Sequence, residues 1–305
     1  MAAVPADRSA RASGAILVAI AAIAFSGKAV IIKLAYRYGV DAVTLLALRM
    51  TFSAPLFVLV AAWAAKRAPQ EPLAAADLRN IAILGVVGYY LSSFFDFLGL
   101  QYITAALERL LLFVHPTFVV LLSAALFGRR ITGRDLMAIG LSYLGIALVF
   151  GHDVMTQRGN VLLGSTWVLL SALLYATYLI GSGRLVHRVG TLRFASYAGL
   201  VSCVAVVLHY VVTRDVHVIF GQPVQVYGYG VLMAVVSTVL PIILTSEGIK
   251  RLGASHASIV GAVGPVATIF LGAVFLDEAI TALQLAGAAL VLAGILAISL
   301  TKKKL

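Results

Sequence analysis

GLQYITAALERLLLFVHPTFVVLLSAALFGRRITGRDLMAIGLSYLGIALV, running from Gly99 to Val149, is a stretch this chain nearly states twice. Moving along by 149 positions carries Gly99 onto Gly248, Ala105 onto Ala254 and Pro116 onto Pro265. Without a gap, Ile131-Thr132 falls on Ile280-Thr281, and Gly145-Ile146 on Gly294-Ile295. In a chain rich in Ala, Leu and Val, apolar coincidences carry little weight. The matched prolines, glycines and Ile-Thr pair carry more. Each copy reads as a short connection, an apolar helix with a central Pro-containing stretch, a tight loop and a second helix punctuated by glycine. Self-similarity at a fixed offset frames every later reading of the chain.

Outward from that stretch, composition sets the class. Of 305 residues, 62% are hydrophobic and 11% charged, and the mean hydropathy is +1.03. A soluble globule carries about 25% charged residues, and no soluble fold of this length hides so much apolar surface. The apolar runs reach the roughly 20 residues that cross a bilayer as a helix. They do not alternate, as the ~10-residue strands of an outer-membrane barrel would. The single Cys203 lies in an apolar run, which rules out an intramolecular disulfide and a cysteine metal cluster. The net charge of +11 does not point to nucleic acid, because the basic residues sit at the ends of apolar spans. Arg8, Arg11 and the apolar run after them look like a leader. That run continues past Lys28 without a cleavage site and reads as the first span.

The reading is an all-α polytopic membrane protein of ten transmembrane helices, at roughly 14–35, 41–64, 79–100, 104–127, 133–151, 160–181, 191–213, 227–248, 254–276 and 281–300. Lipid offers no partner to free backbone groups, so the spans are helical. The longest connection, around 65–78, holds Pro69 and Pro72 and is too small to fold alone. One side of the membrane takes Arg8, Arg11, Lys66, Arg67, Arg79, Arg129, Arg130, Arg134, Arg184, Arg188, Arg193, Lys250, Arg251 and Lys302–Lys304. The other takes Lys33, Arg37, Arg158 and Arg214, while Lys28, Arg49 and Arg109 lie within spans. This bias places both termini in the cytoplasm.

Five spans per copy is an odd number, so the second copy, 152–305, is expected upside down relative to the first, 1–151. The tight loops agree: Gly128-Arg129-Arg130 is basic, and its counterpart Asp277-Glu278-Ala279 has no positive charge. At an offset of 151, Lys33 meets Arg184 and Gly39 meets Gly190, so the first spans correspond more weakly. Inverted repeats of this kind belong to transporters, whose substrate binds near the midplane between halves that rock.

Two runs make the pattern resemble a known family. The first is Pro116-Thr117-Phe118 with Phe127-Gly128-Arg129-Arg130-Ile131-Thr132 and Gly140. The second is Gly264-Pro265-Val266 with Leu276-Asp277-Glu278-Ala279-Ile280-Thr281 and Gly287. They resemble the drug/metabolite transporter superfamily, in its EamA-type ten-span branch. Glu278 fits that pattern and Arg129 departs from it. The resemblance covers essentially the whole chain and implies a bacterial inner-membrane carrier of amino acids or other metabolites. The YddG-type aromatic amino-acid exporters are the branch favoured. Other members of the superfamily carry nucleotide sugars or phosphorylated sugars.

Candidate site residues lie on several spans. His115 is mid-span, directly before Pro116, and Glu108 lies seven residues earlier on the same helical face. Intramembrane ionisable groups tend to face the bundle interior, so the pair is a candidate for carrying a proton or holding an ammonium group. Against that, Pro116 frees the carbonyl of Leu112, which His115 can satisfy, and Glu108 can pair with Arg109. Span three presents Tyr89, Ser93, Asp96 and Leu100 on one face. Tyr90, Phe94 and Phe97 lie beside them, as a cavity wall or as packing, with Asp96 near the outer end and partly wet. Span six carries Trp167, an interfacial anchor, with Ser171 and the deeper Tyr175 and Tyr178. Span eight holds Ser237, Thr238, Pro241 and Thr245. Pro116, Pro241 and Pro265 are candidate hinges. Gly261, Pro265, Thr268 and Gly272 on span nine suit close helix contact. Lys28 and Arg49 either serve a substrate carboxylate or snorkel outward. His256, Glu247 and Lys250 belong to a solvated turn.

No zinc-binding His pair, nucleophile turn, P-loop or cysteine cluster is present, so no metal, cofactor or enzymatic role is expected. An intramembrane enzyme built on Glu108 and His115 is the remote alternative, and a phosphorylated- or nucleotide-sugar carrier the nearer one. The expected partners are a small-molecule substrate and the bilayer, with no nucleic acid, and the expected state is a monomer.

Overall fold

The computed structural model describes residues 8–67, 72–128, 130–156 and 159–299. Pro69, Arg129, Arg158 and Lys302–Lys304 lie outside the described residues. Nine helices among those described are long and apolar enough to cross a membrane. Spans one to five are Arg11–Tyr36, Ala42–Lys66, Ala75–Gly99, Ala105–Phe127 and Asp135–Thr156. Spans six to nine are Val161–Gly183, Thr191–Thr213, Val224–Leu252 and Ile259–Leu276. A tenth, shorter apolar stretch, Ala282–Leu296, lies within helix Ala282–Ser299. The ten-helix expectation is met. The helix of span six runs on beyond its expected end to Val189 before Gly190 stops it.

Polar side chains start several helices by taking backbone amides that have no partner in the first turn. Asp41 Oδ1 accepts from the Val43 and Thr44 amides at 3.0 and 3.2 Å. Thr104 Oγ1 accepts from Leu107 N at 3.1 Å, and Asn160 Oδ1 from Leu163 N at 3.0 Å. The surface between the ends is apolar: Leu59, Val204 and Phe270 are 65%, 61% and 53% exposed, as lipid-facing side chains are.

The repeat seen in the sequence recurs as backbone geometry. Span three widens into a π-helical turn at Val86–Leu91, and span eight does so at Val235–Val239, again offset by 149. Span four breaks at Phe113–Val114 and restarts as His115–Phe127; its counterpart breaks at Ala262–Val263 and restarts as Gly264–Leu276. Pro116 and Pro265 stand in the first turn of these restarted helices, where a missing N–H leaves no intrahelical bond unmade. Both end in a left-handed residue, Gly128 at φ 65° and Asp277 at φ 60°. The two prolines stand after these breaks, not at them, and Pro241 lies two residues past the π turn of span eight.

Contacts between the copies are reciprocal. A methyl group on Gly145 would lie 2.5 Å from the Gly287 carbonyl oxygen, and one on Gly294 would lie 2.6 Å from the Ala138 carbonyl oxygen. Gly145 corresponds to Gly294, and Ala138 to Gly287. Moving up span five therefore means moving down span ten: equivalent helices pack antiparallel, as a two-fold axis across the bundle requires. Gly99 against the Gly164 carbonyl and Gly248 against the Gly14 carbonyl repeat the relation at 2.8 and 3.0 Å. Glycine at these crossings lets backbones touch.

Candidate functional site

Spans three and four are joined by a short link, which sets the end of one and the start of the other at the same depth. Asp96, in the last turn of span three, and Glu108, in the first turn of span four, both face Lys28 of span one. Lys28 Nζ lies 2.5 Å from Asp96 Oδ2 and 3.3 Å from Glu108 Oε1. The three residues are 6%, 1% and 0% exposed. Asp96 is therefore not partly wet, Lys28 does not snorkel, and Glu108 pairs with Lys28 rather than with its neighbour Arg109. Burial of this depth is tolerable only because opposite charges meet.

Arg109 turns away from that pair. Its guanidinium carbon sits 5.0 Å from the Phe25 ring and 4.9 Å from the Phe113 ring. Its Nη2 donates to Ser26 Oγ at 3.2 Å, while Nε is buried without a hydrogen-bond partner. The one Ser26 hydroxyl proton is within reach of the Ala22 carbonyl at 2.6 Å and of the Gly264 carbonyl at 3.0 Å, where span nine restarts. Thr268 Oγ1 donates to the Gly264 carbonyl at 3.2 Å, so Thr268 ties off this end rather than serving packing alone. A methyl group on Gly264 would come within 2.6 Å of Arg109 Nη2, so the guanidinium takes this position because residue 264 has no side chain.

Arg49 is also buried, at 5% exposure, and does not snorkel. Its Nε donates to Thr238 Oγ1 at 2.9 Å, its Nη1 lies 3.5 Å from Ser93 Oγ, and its guanidinium covers Phe97 at 5.6 Å. Thr238 Oγ1 donates in turn to the Met233 carbonyl at 2.9 Å, across the π turn. Ser237 donates to the Ala24 carbonyl of span one at 3.2 Å.

A run of aromatic rings leads away from Arg109. Phe113 lies 6.2 Å from His115, His115 meets Tyr175 edge-on at 5.2 Å, Tyr175 stacks on Tyr178 at 5.6 Å, and Tyr178 meets Tyr89 edge-on at 5.4 Å. Tyr175 remains 38% exposed although it lies mid-span, and Phe25 is 38% exposed as well. His115 Nδ1 is 2.9 Å from the Leu112 carbonyl, which makes that nitrogen the donor. Glu108 and His115 thus have separate partners. Tyr90 and Phe94 form a second group around His209: Tyr90 Oη is 2.9 Å from His209 Nδ1, and the Phe94 ring is 4.9 Å from the imidazole. Trp167 stacks on Phe95 at 5.3 Å, and Ser171 bonds Ser92 at 3.0 Å. Thr245 is half-buried, and Pro241 and Pro265 are buried.

Both ends of the bundle are tied across the two copies. Lys33 Nζ is 3.1 Å from Glu278 Oε1 and donates to the Ile103 carbonyl at 2.8 Å. Glu278 Oε1 accepts from Ala105 N at 3.1 Å, and Arg37 donates to the Leu276 carbonyl at 3.0 Å. At the other end Arg188 pairs with Asp77, Arg251 donates to Ser13 Oγ at 3.2 Å, and Glu247 pairs with Lys250 and Arg251 on an exposed turn. His256 is exposed there too.

Phe25, Phe113 and His209 were not foreseen as site residues. A signal for the first two existed: Phe25 lies one turn before Lys28, and Phe113 one turn after Arg109. Among the described residues no three His, Cys, Asp or Glu side chains come together to hold a metal.

Comparison with known proteins agrees with this architecture. The model of the EamA-like transporter family matches twice, over residues 12–151 and 162–300. Uncharacterized transporter YcbK of Bacillus subtilis is 33% identical over 280 residues, covering 90% of this chain and 89% of the relative. A probable terminal-alkyne amino-acid exporter of Streptantibioticus cattleyicolor is 27% identical over 267 residues, covering 86% and 84%. A crystal structure 20% identical in sequence superposes with a TM-score of 0.64, over 94% of this chain and 96% of the other, and shows the shared fold. Ten apolar helices with a doubled backbone pattern, together with a family match over both copies, establish that the chain belongs to the EamA-like transporter family and is a multi-pass membrane transporter.

Proposed function

We propose that the chain exports small metabolites, foremost aromatic or large neutral amino acids, by alternating access across a bacterial inner membrane. The observation that carries this reading is the run of rings from Phe113 through His115, Tyr175 and Tyr178 to Tyr89, which abuts a buried charged cluster. An apolar wall with a few placed polar groups suits an organic cargo with a charged head. The name of the Streptantibioticus relative points the same way. Units 1–151 and 152–305 rock against each other, with Pro116 and Pro265, in the first turn after the helix breaks, and Pro241, just past the π turn of span eight, as the hinges. Tyr89, Tyr90, Ser93, Phe94, His115, Tyr175, Tyr178, Ser237 and Thr245 face the path, and the protein works as a monomer.

With both termini in the cytoplasm, the end tied by Lys33 and Glu278 faces outward, and the end tied by Arg188 and Asp77 faces inward, where an exporter loads. Glu108 is the coupling group in this scheme, since it shares Lys28 with Asp96 and changes partner if it takes a proton. His115, held on Leu112, serves as wall. Charge supports this cargo over phosphorylated sugars: two carboxylates surround Lys28, leaving one net positive charge among Lys28, Arg49, Arg109, Asp96 and Glu108. The reading is of a carrier, not an enzyme.

The test is uptake of a labelled amino-acid panel by proteoliposomes, with and without an imposed proton gradient. Uptake of aromatic or large neutral amino acids is expected. Movement of sugar phosphates with no amino acid taken up by folded protein would reverse the ranking.

A further inference from the structure

We propose that the Arg109 guanidinium is the receptor for the carboxylate group of the transported solute, with Phe25 and Phe113 as its walls. This deepens the transport reading and rests on it for movement of the solute, though not for binding.

Three observations converge on Arg109. Its own partners leave it unsatisfied. The carboxylates nearest in sequence and space, Glu108 and Asp96, are both committed to Lys28 at 3.3 and 2.5 Å. Among the described residues no carboxylate oxygen is in ion-pair contact with Arg109, and its buried Nε has no hydrogen-bond partner. Ser26 Oγ takes one of five N–H donors. A buried guanidinium without an anion is costly to keep, and its planar fork matches a carboxylate with two parallel hydrogen bonds.

The surroundings are shaped for that fork. Phe25 and Phe113 each lie within about one ring's reach of the guanidinium carbon, at 5.0 and 4.9 Å, and hold its plane by cation–π contact. Gly264 leaves the space that Nη2 occupies. A wall for the rest of the solute continues from there. Phe25 is 38% exposed, and from Phe113 the rings of His115 and Tyr175 continue to a second side chain 38% exposed. A solute with its carboxylate on Arg109 would lay its side chain along this aromatic wall. Arg49, its Nε on Thr238 and its face on Phe97, is the less available cation. One surplus positive charge suits a monoanion rather than a phosphate dianion.

The experiment uses the full chain purified in detergent. Thermal unfolding is followed while L-phenylalanine, phenylacetate, L-phenylalanine methyl ester and phenethylamine are titrated separately. A ligand that binds the folded state raises Tm with its concentration. The two carboxylates are expected to bind about 10- to 100-fold more tightly than the ester and the amine, the range that hydrogen bonds to charged groups give. R109Q is expected to abolish that preference. G264A keeps the charge but displaces the guanidinium, and should reduce the preference in the same direction. It carries the test if R109Q does not fold. The proposal is overturned if the wild-type chain responds to neither carboxylate, if ester and acid bind alike, or if folded R109Q keeps the preference. If the carboxylates bind through Arg109 but proteoliposomes move neither, the site stands and the transport reading fails. If R109Q takes up phenylalanine at the wild-type rate, the site fails and transport stands.

Discussion

Replacing Lys28 with Met keeps the shape of the side chain and removes the one cation that Asp96 and Glu108 share. The size of the effect follows from the geometry. At an effective dielectric of about 20, charges 3.3 Å apart, as for Lys28 and Glu108, attract by ~5 kcal/mol before desolvation is charged against them. The closer Asp96 contact attracts more strongly. Desolvating each ion costs several kcal/mol, so the intact cluster contributes little net stability. The mutant has already desolvated two carboxylates and has lost what compensated them. Breaking a buried pair in this way costs about 3–5 kcal/mol. The triple variant K28M/D96N/E108Q removes all three charges and should recover at least half of that loss. The assay is reversible unfolding in mixed micelles titrated with SDS, read from the fluorescence of Trp63 and Trp167, the chain's two tryptophans. A K28M loss under about 1 kcal/mol would refute the reasoning, and so would a triple variant less stable than K28M.

Two further outcomes follow from the fold. Gly99 and Gly248 hold equivalent crossings, with room for neither to carry a methyl group, so G99A and G248A should each destabilise by about 1–3 kcal/mol. In the same unfolding assay, a cost at one site only would contradict the two-fold relation. Asp41, between spans one and two, is a titrating group at the membrane surface. Burial pushes its carboxyl up, but hydrogen bonds from the Thr44 side chain and amide, with Arg214 beside it, outweigh burial and hold it below the usual carboxylate range. A depressed folded value means the stabilisation is present above the unfolded value of about 3.9 and is lost as pH falls through the folded one. Stability measured from pH 6 downward should therefore fall more steeply below about pH 4 in the wild-type chain than in D41N; parallel curves would remove Asp41 from the account.

The doubled fold was legible because its markers are residues whose backbone demands are unusual. Pro116 and Pro265 need a helix start, and Gly128 answers to a left-handed cap that Asp277 fills in the second copy. The π turns were not legible: Val86–Leu91 and Val235–Val239 have the composition of ordinary membrane helix. Helical periodicity grouped Tyr175 and Tyr178 of span six correctly and failed on span four, where the break at Phe113–Val114 sets Glu108 and His115 apart. It cannot speak between spans. Lys28 and Asp96 are 68 positions apart, so their ion pair is set by the depth at which spans one and three meet. That is why the sequence left Lys28 and Arg49 open between a substrate carboxylate and snorkelling, while the folded chain buries them on partners from other helices.

The two copies are alike in backbone and unlike in charge, and the difference falls where the copies are joined. Lys33 and Glu278 close one end by pairing across the copies, with Ala105 N and the Ile103 carbonyl completing the lock. In the other copy the position corresponding to Lys33 is Arg184, and the one corresponding to Glu278 is Arg129. Two arginines cannot form an ion pair with each other, so the Lys33–Glu278 pair has no counterpart at the corresponding positions. A strictly symmetric inverted repeat has two faces of equal energy. Here one face carries the Lys33–Glu278 pair and the other the Arg188–Asp77 pair, which do not correspond in the repeat, so the two faces are tied by different contacts, a partly exposed ion pair being worth a fraction of a kcal/mol to about 1 kcal/mol. The Glu278 carboxylate is only 14% exposed and also takes the Ala105 amide, which puts this lock toward the upper part of that range.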